Sequence, residues 1–165
     1  MKQQLSPAVS RRVEKVISGG QTGADRGGLE AAKALGIPTG GKAPKGYLTE
    51  NGPDESLREF GLIESQRSDY AVRTQQNVKD SDGTLAFRLN PGPGTDLTIR
   101  FATAQGKPVL VVEPKDLTPS LPQRIRDWIG QHDIRLLNVA GNRESISPGI
   151  QQQVVEILTE ALQDG

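Results

Sequence analysis

Short apolar runs alternate with amphipathic stretches along nearly the whole chain. Val13–Ser18 reads as a buried strand, and Ala24–Leu35 as a helix stopped by Gly36 with Pro38 shortly after. Ile37–Thr39 begins a second, short strand. Residues 48–66 are irregular and rich in charge, with a short helix around Glu55–Phe60. A weak helical pattern runs from Asp69-Tyr70 to Lys79. Thr84–Phe87 is apolar enough for a buried strand, and Asn90–Gly94 reads as a turn. Thr95–Gln105 follows as a helix, with Thr95 or Asp96 suited to its N-terminus. Pro108–Val112 is the clearest strand. Leu121–Gln131 is helical, with Leu121, Ile125, Trp128 and Ile129 on one face. Leu136–Val139 is a last strand. Ser147-Pro148 opens a final helix that turns Ile150, Val154, Ile157, Leu158 and Leu162 inward.

Continuous apolar strands alternating with helices suit a parallel sheet covered on both faces. The pattern therefore predicts an α/β fold, a Rossmann-like three-layer sandwich with a mostly parallel sheet of about five strands. The 165 residues are enough for one domain with a full core. That single ligand-binding domain spans residues 13–165, after a flexible polar tail at 1–12.

Composition narrows the function. Lys+Arg and Asp+Glu are 20 each, which argues against general nucleic-acid binding. The absence of cysteine excludes thiolate metal sites and cysteine nucleophiles, and the one histidine, His132, reads as a surface residue near a helix end. No apolar run approaches the ~20 residues of a membrane span, and the first dozen residues hold no apolar leader segment. A cytoplasmic protein that binds no membrane is expected. Aromatic residues make up 4%, too few for base-stacking platforms.

The chemistry concentrates in turns. Ser18-Gly19-Gly20-Gln21-Thr22-Gly23 joins the first strand to the first helix, a layout that presents backbone N–H groups to an anion. The loop lacks the length and the lysine of a Walker A motif. Its spacing, Gly20-x-x-Gly23-x-x-x-Gly27, also departs from the dinucleotide fingerprint, and Lys42 stands where an acid would hold a ribose. Glycines also follow the strand ends near residues 39, 87 and 139. In a parallel sheet all these turns emerge on the carboxyl edge and converge on one crevice.

Several side chains are candidates to line it, each with a plainer alternative. Thr22 donates to a phosphate or caps the helix at Ala24. Arg26 clamps an anion or pairs with Asp25 or Glu30. Lys42 is a ligand contact. Arg73 and Asn77 share a helix face. The segment from Ser81 to Thr84 is a turn, within which Asp82 is the residue able to hold a ligand group. Thr95 opens a second helix N-terminus toward the crevice. Arg143 and Glu144 pair with each other.

SGGQTGADRGG at 18–28, GGKAPKGY at 40–47, YAVRTQQNVKDSDGTL at 70–85, GPGTDLTI at 92–99 and LNVAGNRES at 137–145 together resemble the molybdenum cofactor carrier proteins, over residues 14 to 160. That family belongs to a Rossmann-like group with the lysine-decarboxylase-like (LOG) phosphoribohydrolases. The resemblance implies a homo-oligomer, a tetramer, that holds the molybdenum cofactor without covalent attachment. The cofactor is a phosphate-tailed pterin with a metal-bearing dithiolene, anionic at both ends. Proteins that donate or accept the cofactor become possible partners. By the same matching the binding role falls on Gly19, Gly20, Gln21, Thr22 and Gly23, then on Lys42, Arg73, Asn77, Ser81, Gly94 and Thr95.

One departure bears on catalysis. The phosphoribohydrolases carry Pro-Gly-Gly-x-Gly-Thr-x-x-Glu with a catalytic glutamate, and Thr98 stands at that glutamate's position here. Threonine is no general base at neutral pH without a partner. Carriage is thus the first reading. A nucleotide-binding sensor or hydrolase acting on nucleoside phosphates or ADP-ribose-like ligands is the second.

Overall fold

The computed structural model describes residues 13–66 and 70–163. The tail assigned to 1–12 and Asp69, where the weak helical pattern starts, lie outside the described residues. The main strands are β1 (Lys15–Ile17), β2 (Thr39–Ala43), β5 (Leu62–Glu64), β6 (Gly83–Phe87), β7 (Val109–Val112) and β8 (Leu136–Gly141). Among the described residues these six form one sheet in the order β5-β2-β1-β8-β6-β7, every neighbouring pair parallel. A separate antiparallel hairpin joins β3 (Leu48–Thr49) to β4 (Gly52–Pro53). The helices are α1 (Ala24–Ala34), α2 (Tyr70–Asp80), α3 (Pro93–Ala104), α4 (Leu121–His132) and α5 (Ile150–Leu162). The chain is therefore the α/β sandwich its pattern predicts, with one strand beyond about five.

The additional strand is β5, inside the stretch read as irregular. It has three residues and leaves Ile63 60% exposed, so no apolar run marks it. Two boundaries also differ. β2 extends through Gly40, Gly41 and Lys42, because β1 binds it on one side and β5 on the other. α3 begins at Pro93 and not at Thr95. Proline suits the first helical position, where its missing N–H has no partner to lose. Thr95 thus sits in the first turn, behind a cap formed by Gly92.

Strand alternation divides the interior. Val16, Leu85, Phe87, Leu137 and Val139 belong to one core with the apolar faces of α4 and α5, which includes Ile125, Trp128, Ile150, Val154 and Leu158. The alternate residues Thr84, Ala86, Asn138 and Ala140 pair across β6 and β8 on the opposite face, where α2 and α3 pack. That second layer is small and polar: Arg73, Thr74, Asn77, Thr84, Thr98 and Asn138 are all buried.

Gly27 and Gly28 look misplaced inside α1, where each costs about 1 kcal/mol of helix propensity relative to alanine. Packing explains them. A Cβ on Gly27 would stand 2.7 Å from the Gln151 carbonyl oxygen of α5, and one on Gly28 would stand 2.7 Å from Val139 of β8. The glycines let α1 lie directly on its neighbours. Gly27→Ala is therefore expected to destabilise the protein by about 1–3 kcal/mol in urea unfolding, despite its better propensity. A stabilised variant would show that α1 is not in such close contact.

Candidate functional site

α1 leaves β1 toward one face of the sheet, and α3 leaves β6 toward the other, with β8 between them. Loops that diverge at such a switch point open a crevice at the carboxyl edge. Here the crevice has a volume of about 220 Å³ and is walled by Gln21, Gly94, Thr95, Gly141, Asn142 and Arg143. The N–H groups of Gly94 and Thr95 belong to the first turn of α3, where no intrahelical carbonyl is available to them. Helix N-termini of this kind favour anions.

Asn142 ties the crevice walls together. Its Oδ1 accepts from the N–H groups of Leu89 (2.8 Å) and Asn90 (2.9 Å) and from the Ser147 hydroxyl (2.9 Å). Its Nδ2 donates to the Asn90 carbonyl (3.1 Å) and to Thr95 Oγ1 (3.3 Å). Thr95 therefore accepts from the protein and keeps its own hydroxyl proton to donate. Arg143 does not pair with Glu144. The Glu144 carboxylate instead accepts from the N–H groups of Gly149 (2.6 Å) and Gln151 (3.1 Å) at the start of α5.

Beneath the crevice lies a smaller polar cavity of about 20 Å³, walled in part by Asp25, Arg73, Thr74, Gly94, Thr98 and Asn138. It is about the size of one water molecule. Arg73 is 4% exposed, and its Nη1 stands 3.9 Å from Asp25 Oδ2. The guanidinium lies on Gly19, where a Cβ would come within 1.5 Å of that same nitrogen. The Thr74 hydroxyl, also buried, finds no hydrogen-bond partner among the described residues. Thr98, a threonine where the hydrolases carry a carboxylate, donates its hydroxyl to the Gly94 carbonyl (3.1 Å).

The glycine-rich loop forms the opposite wall. Gly23, at φ 82°, allows the chain to pass so close to the β8–α5 loop that a Cβ would stand 2.4 Å from the Asn142 carbonyl oxygen. Gln21 Oε1 accepts from the N–H groups of Thr22 (3.1 Å) and Glu50 (2.9 Å). The Thr22 hydroxyl makes no cap for α1. It accepts from Glu144 N–H (3.1 Å) and donates to the Glu50 carboxylate. Arg26 takes its plainer role, bonded to Glu30 (3.0 Å) and Asp54 (3.1 Å).

Of the remaining candidates, Asn77 also lines the polar cavity, while Lys42 and Ser81 fall outside these walls. β1 ends before Lys42, and the Asn77 carboxamide takes its place beside β2. It accepts from Lys42 N–H (2.9 Å) and donates to Lys42 C=O (3.1 Å). Ser81 lies just before β6, at the amino edge of the sheet and away from the crevice, with its hydroxyl on the Val78 carbonyl (3.0 Å). The resemblance that gave Ser81 a binding role does not show at which end of the sheet the residue stands. Asp82 is a turn residue there, accepting from the N–H groups of Arg135 and Leu136. The structure thus brings together Gly19, Gln21, Arg73, Asn77, Gly94 and Thr95 around the crevice and its cavity, with Gly20 and Thr22 on the neighbouring cleft. It adds Asp25, Thr74, Asn142 and Glu50, of which Glu50 had no signal in its irregular stretch.

The model of the circularly permutated YpsA SLOG family matches residues 16–162, and the chain belongs to that family. A crystal structure of a protein named "putative molybdenum carrier protein", from Syntrophus aciditrophicus SB, is similar over 92% of this chain and 96% of its own. The two are 39% identical, with a TM-score of 0.86. The curated proteins give no match. Among the described residues no helix is long and apolar enough to cross a membrane.

Burial lifts the Asp25 carboxyl from 3.8 to about 6. Arg73, the N–H groups of Gln21 and Gly19, and Arg143 offset this only in part. Between these two values the folded protein holds a proton that the unfolded chain has released. This group's contribution to stability is therefore greatest below about pH 4 and is lost as pH rises to about 6, by about 3 kcal/mol. Asp25→Asn should remove that dependence. Relative to wild type it should gain up to about 3 kcal/mol between about pH 4 and pH 7 in urea unfolding. A difference that does not change with pH would contradict the burial of an ionisable Asp25.

Proposed function

We propose that this protein carries molybdenum cofactor, holding the phosphate-bearing pterin non-covalently in the crevice at the carboxyl edge of the sheet. The observation that supports it most is the start of α3, where Gly94 N–H, Thr95 N–H and the Thr95 hydroxyl border the crevice opposite the glycine-rich loop. Those groups suit a terminal phosphate. Arg73 in the cavity beneath, and Arg143 at the rim, supply positive charge for an anionic ligand. Family membership and the name of the Syntrophus aciditrophicus protein point the same way.

On this reading the glycine loop and the α3 terminus hold the two ends of the ligand, and no reaction is required. The metal arrives and leaves as part of the cargo. A homotetramer in the cytoplasm, receiving the cofactor from one protein and passing it to another, belongs to the same proposal. A nucleoside phosphate could use the same phosphate seat. Hydrolysis by the glutamate route is disfavoured, because threonine stands at position 98 and its hydroxyl, held on the Gly94 carbonyl, supplies no general base.

Two measurements separate carriage from the nucleotide reading. The purified protein should retain molybdopterin through gel filtration and slow its oxidation. Thr95→Val should weaken retention about fivefold to tenfold, the scale of one hydrogen bond. Chromatography after incubation with a nucleotide panel should show no free base. Tight nucleotide binding without cofactor retention would overturn the proposal.

A further inference from the structure

We propose that Thr22, Arg143 and Ser145 form a second anion seat at the rim of the crevice, and that Glu50 of the β3–β4 hairpin fills it as an internal stand-in for an oxyanion of the ligand. This rests on the crevice being the ligand site and adds where the ligand's other charged end is held.

The donors around Glu50 are those an anion would need. Its carboxylate accepts from the Thr22 hydroxyl, from the Ser145 hydroxyl and from Ser145 N–H (3.2 Å), and Arg143 Nη1 stands 4.0 Å away. Thr22 comes from the β1–α1 loop, and Arg143 and Ser145 from the β8–α5 loop, so the seat joins two ligand-facing loops. The carboxylate is only 13% exposed. Burial works against its charge, but the bonds from Ser145 and Thr22 outweigh it and hold the Glu50 carboxyl below its ordinary range.

The hairpin that carries Glu50 is lightly attached. Its strands pair at two positions only and lie outside the main sheet. Two-stranded hairpins are marginally stable alone. Tyr47 anchors its base, buried with its hydroxyl donating to the Leu62 carbonyl (3.1 Å), so the part able to move is the tip. Apart from the carboxylate, Glu50 N–H on Gln21 Oε1 fixes the hairpin tip to the glycine loop.

Space supports the same inference. Small-molecule sites measure about 300–1,000 Å³, and the crevice has about 220 Å³. A cleft of about 310 Å³ lies on the far side of Gln21, bordered by Gly20, Thr22 and Arg26. Gln21 lines both spaces and is held by Glu50. Lifting the hairpin tip frees Gln21, the residue both spaces share, and releases the donors of the seat in one movement. Ligand entry is then an exchange of one carboxylate for another oxyanion on the same hydrogen bonds.

The test uses inorganic phosphate as the probe, with isothermal titration calorimetry on the full-length protein. Glu50→Gln removes the charge and leaves only one oxygen to accept, so the seat's donors become available. Phosphate affinity is expected to rise about tenfold over wild type, the scale of one charge-assisted hydrogen bond. The gain should survive Thr95→Val, which removes a donor of the α3 seat, and vanish with Thr22→Val. If the gain survives while molybdopterin is not retained by wild type, carriage fails and the second seat stands. Unchanged or weaker phosphate binding by a folded Glu50→Gln protein overturns the seat. Should that variant not fold, Glu50→Ser carries the same expectation and the same refutation.

Discussion

The loops leaving β1 and β8 pack backbone against backbone, and the carboxyl edge takes its shape from that contact. Ala24 N–H donates to the Asn142 carbonyl (3.1 Å), and Glu144 N–H donates to Thr22 Oγ1 (3.1 Å). No side chain fits between these segments at Gly23. Because the loops are locked together, α1 and α5 must start side by side, and Asn142 is fixed where it can reach residues 89–90 and Thr95. The ligand-facing turns are thus preorganised before any ligand contact, which reduces the ordering cost of binding.

Behind this edge the two faces of the sheet have different tasks. The face under α4 and α5 buries large apolar side chains and supplies most of the hydrophobic stabilisation. The face under α2 and α3 buries Arg73, Asn77, Thr84 and Asn138 with small residues between them. Asn138 Nδ2 donates to Thr84 Oγ1 (3.2 Å), and Asn77 completes the β2 edge. A buried polar layer costs stability unless it is hydrogen-bonded. Asp25, lifted toward neutrality beside Arg73, shows that part of that cost persists here. Its place under the crevice fits the general pattern in which strained electrostatics collect at functional sites.

Much of this architecture was legible in the chain, for physical reasons that also explain what was not. Continuous apolar runs announced β6, β7 and β8, and helical periodicity announced α4 and α5, because burial imposes those patterns. Successive glycines after strands announced the crevice. Short edge elements carry too few buried positions to leave a pattern, so β5 and the β3–β4 hairpin passed as irregular chain, and Glu50 with them. Pro93 was read as part of a turn although proline also opens helices. Ser81 was a candidate through the family resemblance, yet eight residues of helix after Arg73 carry the chain from one end of the sheet toward the other.

Diffraction from crystals grown with molybdopterin tests the central claim most directly. The account predicts phosphate density within hydrogen-bond distance of Gly94 N–H, Thr95 N–H and the Thr95 hydroxyl, with the pterin extending toward residues 19–23. Density for the cofactor elsewhere, such as the 410 Å³ pocket beside Gln123 and Arg126 of α4, would contradict it.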